Sequence, residues 1–76
     1  MRINERFWKD AKWVDEHYKE LQKKYADQWI AVLDKKVVSA GRDGGKVETE
    51  AERVTKVPRN EILMEFIECG SHVYQS

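Results

Sequence analysis

Phe7, Ala11, Val14, Tyr18, Leu21 and Tyr25 recur at alternating spacings of four and three, which sets all six along one stripe of an α-helix. Glu5/Lys9, Asp15/Lys19 and Glu20/Lys24 stand four apart with the acid leading, the orientation that best supports an exposed helical face. The spacing predicts a helix from about Asn4 to Tyr25, with Asn4 as N-cap; a break near Asp15, giving two shorter helices, is the alternative. A coiled coil is disfavoured. The repeat lasts only about three heptads, and its positions hold an alanine and three aromatics.

After Ala26-Asp27-Gln28 the pattern changes to two β-branched runs, Trp29–Leu33 and Lys36–Ala40, meeting at Asp34-Lys35. This predicts a hairpin with a two-residue turn, pairing Leu33 with Lys36 and Trp29 with Ala40, its register open by one residue. Lysine is a poorer choice than glycine where φ is positive. The first strand is apolar on both faces, with Trp29, Ala31 and Leu33 on one and Ile30 and Val32 on the other, as a central strand reads. Gly41–Gly45 is the turn out of the hairpin, and Asp43 is placed to cap a helix from about Gly45 to Lys56 with the stripe Val47, Ala51, Val54. Pro58 ends it and pushes Val57 into the connection. From Glu61 to Cys69 the chain alternates as a strand, Ile62, Met64 and Phe66 against Leu63, Glu65, Ile67 and Cys69. Gly70-Ser71 turns the chain, and His72-Val73-Tyr74 is placed as a short terminal strand or a frayed end.

These elements define one small α+β domain over residues 1–76, frayed at 1–3 and 75–76. Its topology is αββαβ, with a three-stranded antiparallel sheet in the order 2-1-3 and both helices on one face. That arrangement would leave Ile30, Val32 and Val37 on an uncovered face, and apolar faces and open edges are association sites. Phe7, Trp8 and Trp13 crowd the first half of the long helix. A helix of that length spans about 33 Å at ~1.5 Å per residue, whereas five-residue strands reach ~17 Å. The overhang should pack on another molecule. These six residues are the expected partner-binding set.

The chain has 76 residues, and its 14 basic and 14 acidic side chains cancel. No overall field gathers nucleic acid or anionic membrane around it. Cys69 is the only cysteine, so no intramolecular disulfide forms, and a lone thiol with two distant histidines is not a zinc site. Together with the lack of a long apolar run, this points to a cytoplasmic protein. A domain of this size has a thin core, which leaves good packing or self-association to stabilise it.

A helix ending in tyrosine, Trp29-Ile30-Ala31-Val32, a polar turn, Lys36-Val37-Val38, a small residue before Gly41 and Asp43 soon after together resemble a family of short archaeal and bacterial proteins of unknown function. The resemblance runs from Glu20 to about Lys56. It implies an αββαβ domain and carries no catalytic residue. Where that family often has Asp-Gly or Asn-Gly at the turn, this chain has Asp34-Lys35.

Gly44-Gly45-Lys46 is not a P-loop, since Ala40 and Val47 stand where that motif needs a glycine and a hydroxyl residue. Gly41-Arg42-Asp43-Gly44 has the form of a KH-domain GXXG loop, but it follows a strand and contains an acid. Cys69-x-x-His72 is the sole sequence-local nucleophile and base, on a strand without the helix-terminus amides that activate a thiol. No catalytic, cofactor-binding or metal-ligating set is expected. The favoured reading is a non-catalytic protein-interaction module, a homodimer or a binder of another small protein. Weak nucleic-acid binding through Lys35, Lys36 and Arg42 is the alternative.

Overall fold

The computed structural model describes residues 5–69. The Asn4 cap, the frayed ends at 1–3 and 75–76, the Gly70-Ser71 turn, His72 and the terminal strand all lie outside the described residues. In order the chain forms α1 (Glu5–Glu16), α2 (Tyr18–Tyr25), β1 (Gln28–Val32), β2 (Val37–Gly41), α3 (Gly44–Thr55), a 3₁₀ turn (Arg59–Glu61) and β3 (Leu63–Ile67). The strands form one antiparallel sheet in the order β2-β1-β3, so the doubly apolar first strand is central as its pattern predicts.

The first helical stripe is divided, and the break falls at His17 rather than Asp15. The His17 backbone N–H is shared between the Trp13 carbonyl at 3.0 Å and the Val14 carbonyl at 3.2 Å. Its ring Nδ1 lies 2.9 Å from the same Trp13 oxygen. This local crowding of acceptors closes the last turn of α1 before α2 starts. Tyr18 and Gln22, one turn apart on α2, then hold the end of β3: Glu68 donates its N–H to the Tyr18 hydroxyl at 3.1 Å, and the Gln22 amide donates to the Glu68 carbonyl at 3.0 Å.

The helices lie on opposite faces of the sheet, not on one. Val14 and Leu21 from α1 and α2 pack with Ile30, Val32, Leu63 and Ile67. On the other side Val47 and Ala51 of α3 pack with Ala31, Leu33 and Ile62. A central strand with two apolar faces is satisfied by a cover on each, and burying each large aliphatic side chain stabilises by about 1.5–3 kcal/mol. The expectation of an uncovered face bearing Ile30, Val32 and Val37 is therefore corrected. Ile30 and Val32 are 0% exposed, and Val37 is half-buried against the same cluster.

Asp43 caps α3 as expected, accepting the N–H groups of Gly45 and Lys46. The helix starts close against β1: a Cβ on Gly44 would sit 3.3 Å from atoms of the Trp29 indole, tight enough that the indole would have to give way slightly. Val54, the third member of the predicted stripe, is exposed on the last turn. Lys56 ends α3 in the left-handed region. Arg59 then folds back, its guanidinium and backbone N–H both donating to the Glu52 carboxylate, which holds Glu52 below the usual glutamate range.

Leu33 N–H donates to the Lys36 carbonyl at 3.0 Å, and Val32 pairs with Val37, the register of a two-residue turn. Asp34 and Lys35 both have positive φ, 55° and 62°, the signature of the type I′ turn that suits a hairpin's twist. Beyond Val37 the register slips by a bulge in which Val38 has no cross-strand partner, so Trp29 pairs with Gly41 instead of Ala40. A left-handed conformation costs a residue with a Cβ about 1–2 kcal/mol. Lys35→Gly should therefore raise unfolding stability in urea by about 0.5–1 kcal/mol, the relief of strain being partly offset by the freer unfolded chain. A drop in stability would show that Lys35 is not held at positive φ.

Candidate functional site

Arg6, Asp10, Trp13 and His17 stand at spacings of four, three and four, a second stripe on the first helix beside the core stripe. This stripe meets the hairpin. Asp10 is 1% exposed, the buried charged residue of the described chain. Its Oδ1 accepts the Lys35 backbone N–H at 2.8 Å and its Oδ2 accepts that of Asp34 at 3.1 Å. A charge deprived of water costs several kcal/mol unless it is fully bonded. Two hydrogen bonds to a charged acceptor, each about 1.5–3 kcal/mol, go to the two turn amides that a positive-φ hairpin leaves without strand partners. Arg6 Nε lies 3.3 Å from the Asp34 carboxylate on the open side of this junction, where an ion pair adds about 0–1 kcal/mol.

One turn further, the Trp13 and His17 rings stack with centroids 4.9 Å apart and planes at 29°. Trp13 is half-buried and also packs on the core of the α1/α2 side. It lines two cavities. The first, about 500 Å³, has a floor of Trp13, His17, Leu21, Tyr25 and Val37 and a rim of Glu20, Lys23, Lys24 and Lys36. The second, about 340 Å³, is lined by Trp13 with Lys9, Lys12, Glu16 and Lys35. Six lysines thus line the two cavities that share Trp13, against two glutamates, while Lys9 and Lys35 also line a third with Glu5, Asp10 and Asp34. Formal charge cancels over the whole chain, so this corner's positive excess is matched by an acidic excess elsewhere.

Of the expected partner-binding residues, the fold brings Trp13 and Val37 into one groove. Phe7 and Trp8 lie further out on α1, 37% and 59% exposed, although the single long helix whose overhang was expected to expose them is divided into α1 and α2. Ile30 and Val32 are sealed beneath α1 and α2 and cannot meet a partner, since the sheet face they line is already covered. Lys35 and Lys36 reach the Trp13 cavities, but Arg42 does not join them. The turn joins the near end of β2 whereas Arg42 follows its far end, about 17 Å away at ~3.3 Å per residue, so the Lys35/Lys36/Arg42 grouping is corrected. Lys9, Lys12 and Asp10 were not singled out by sequence reasoning. The signal was present in their spacing from Trp13 and from one another, but a charged residue on a helix reads by default as solvated.

Among the described residues no group of three histidine, cysteine or acidic side chains could hold a metal ion, and no helix is long and apolar enough to cross a membrane. Cys69 is half-buried, and its backbone N–H donates to the Asp27 carboxylate at 3.3 Å.

Residues 20–69 match the family described as Family of unknown function (DUF5678), and the chain belongs to that family. The match takes in α2 from Glu20 onward, the whole sheet and α3. Residues of α1, with Asp10, Trp8 and Trp13, precede it. No curated protein and no solved structure matches the chain.

Glu65 is the carboxylate that burial perturbs. It pairs with Ile30 across the sheet and so faces α1 and α2 between Leu63 and Ile67, where desolvation pushes its carboxyl above the usual glutamate range. A folded pKa above the unfolded one means that the native state holds this proton more tightly, so the contribution to stability is present below about pH 4.3. It is lost as pH rises through the folded value. Glu65→Gln should accordingly raise the urea midpoint at neutral pH and change it little in acid. An equal effect at both pH values would contradict this reading.

Proposed function

We propose that the chain is a non-catalytic, cytoplasmic protein-interaction module that presents the outer surface of α1 to another polypeptide, a second copy of itself or a different small protein. The observation that carries this reading is the exposure of Trp8, at 59%, beside Phe7 at 37%. Trp13, Tyr18, Tyr25 and Trp29 all pack against one of the two cores; among the exposed large apolar residues Phe7 and Trp8 are neighbours on α1, whereas Val54 and Phe66 stand singly on α3 and β3. Buried aromatic anchors dominate the binding energy of protein interfaces. Two adjacent large rings on a rigid helix, pinned at Asp10, form such an anchor with little conformational entropy left to lose. The Trp13 groove adds a concave neighbour to this convex one.

The second reading, weak nucleic-acid binding, is supported by one observation, the six lysines around Trp13. Arg42 has no part in it.

Sedimentation equilibrium tests the first reading. A mass that is a multiple of 9.0 kDa is expected at high concentration, and Phe7→Ala with Trp8→Ala should return it to the single-chain value with the fold intact by circular dichroism. A self-associated mass unchanged in the double variant would remove α1 from the interface, and a single-chain mass for the unaltered protein would remove the second copy as partner.

A further inference from the structure

We propose that the two lysine-rimmed cavities joined at Trp13 form one groove for a short single-stranded nucleic acid, with a base on the indole and phosphates on the lysines to either side. The proposal rests on the second reading of function and gives that reading its site. Sequence-tolerant binding of a single strand needs a positively charged track for the backbone and an aromatic face for the bases, each base stacked contributing about 1–3 kcal/mol. Both parts are present and alternate in space. Lys23, Lys24 and Lys36 rim the cavity on one side of Trp13, and Lys9, Lys12 and Lys35 line the one on the other.

The Trp13 ring is held rather than free to rotate. It stacks on His17 at 4.9 Å, packs on the core, and stands at the end of α1 that Asp10 fastens to the hairpin. His17 covers one face of the indole, so a base stacks against the other, and a ring already fixed loses little entropy in the contact. Tyr25, in the wall of the larger cavity, offers a second ring to the next base. An acidic polypeptide would meet the same lysines, but it has no use for an aromatic divider between two basic cavities. Charge on a strand of regularly spaced phosphates falls on both sides of the divider at once. Lysine without arginine in either lining suits phosphate contact without base-edge readout, which bidentate arginine performs. Glu16 and Glu20 in the linings oppose phosphate, so the binding is weak and strongly salt-dependent.

The test is fluorescence anisotropy of a labelled 12-nucleotide oligo(dT) titrated with the full chain over a series of salt concentrations. Binding is expected at low salt, with log affinity falling against log salt at about 0.7 per phosphate engaged, hence a slope of about 3 to 4 for the lysines in reach. Lys24→Glu with Lys36→Glu should weaken binding at least about tenfold and flatten that slope by about 1.4. Trp13→Phe, which keeps an aromatic ring in the core contact, should weaken it several-fold while leaving the slope unchanged. Arg42→Glu, at the far end of β2, should leave the affinity within about twofold. Polyglutamate should not displace the oligonucleotide at equal charge concentration. No binding at low salt would overturn both the groove and the second reading. Binding that Arg42→Glu weakens as much as the lysine pair does would overturn the groove alone. Displacement by polyglutamate would overturn the proposal in favour of an acidic polypeptide.

Discussion

The Asp10 carboxylate, buried and bonded to the backbone amides of Asp34 and Lys35, is the contact on which the arrangement of this molecule depends. It joins the first helix to the tip of the hairpin across 24 or more residues of sequence. The dependence runs in both directions. The hairpin needs a partner for its turn because Asp34 and Lys35 both occupy the left-handed region, where a side chain is strained. The helix needs the turn because Asp10 is buried and, without those two N–H groups, would lose the donors that compensate its burial. Breaking a buried charge contact of this kind typically costs about 3–5 kcal/mol, a large share of what a 76-residue domain can muster. The position of Trp13 one turn along, and of the lysines around it, follows from where this junction holds α1.

The second constraint is the central strand. Ile30 and Val32 on one face and Ala31 with Leu33 on the other are all buried, and no single layer of helices can cover both. The chain answers with α1 and α2 on one side and α3 on the other. Small residues set the closeness of the second layer: Ala51 and Val47 of α3 meet Ala31, and the helix begins at Gly44 against the Trp29 ring. The Trp29 ring in turn meets Phe66 of β3 edge-on, centroids 5.4 Å apart, so the glycine-rich turn serves the packing of α3 on the sheet.

Much of this was legible in the chain. Alternation placed β1 at the centre and ordered the strands, the Asp43 cap and the Pro58 stop were read from single residues, and the turn at Asp34-Lys35 came from the break between two β-branched runs. The placement of the helices was not, because a strand with two apolar faces is served equally by a second helix layer or by a partner molecule, and periodicity does not distinguish them. Asp10 was hidden for a different reason: a charged residue on a helix reads by default as solvated, and only the fold shows that its carboxylate meets backbone amides. The bulge at Val38 and the break at His17 depend on which carbonyl each N–H reaches, a matter of tertiary fit. Net charge concealed the candidate site, since a total of zero says nothing about six lysines gathered at one corner. Phe7, Trp8 and Trp13, by contrast, were recognisable in the sequence as aromatics crowded into the first half of the helical stretch.

Native-state hydrogen exchange at the Asp34 and Lys35 amides tests the Asp10 junction most directly. Turn amides at an exposed hairpin tip ordinarily exchange through local fluctuations at little free-energy cost. Bonded to a buried carboxylate, these two should instead show protection approaching that of Ile30 and Val32 in the central strand, and Asp10→Asn should abolish it while the strand amides stay the more protected. Exchange of Asp34 and Lys35 at the rate of an unstructured peptide in the unaltered chain would contradict the account.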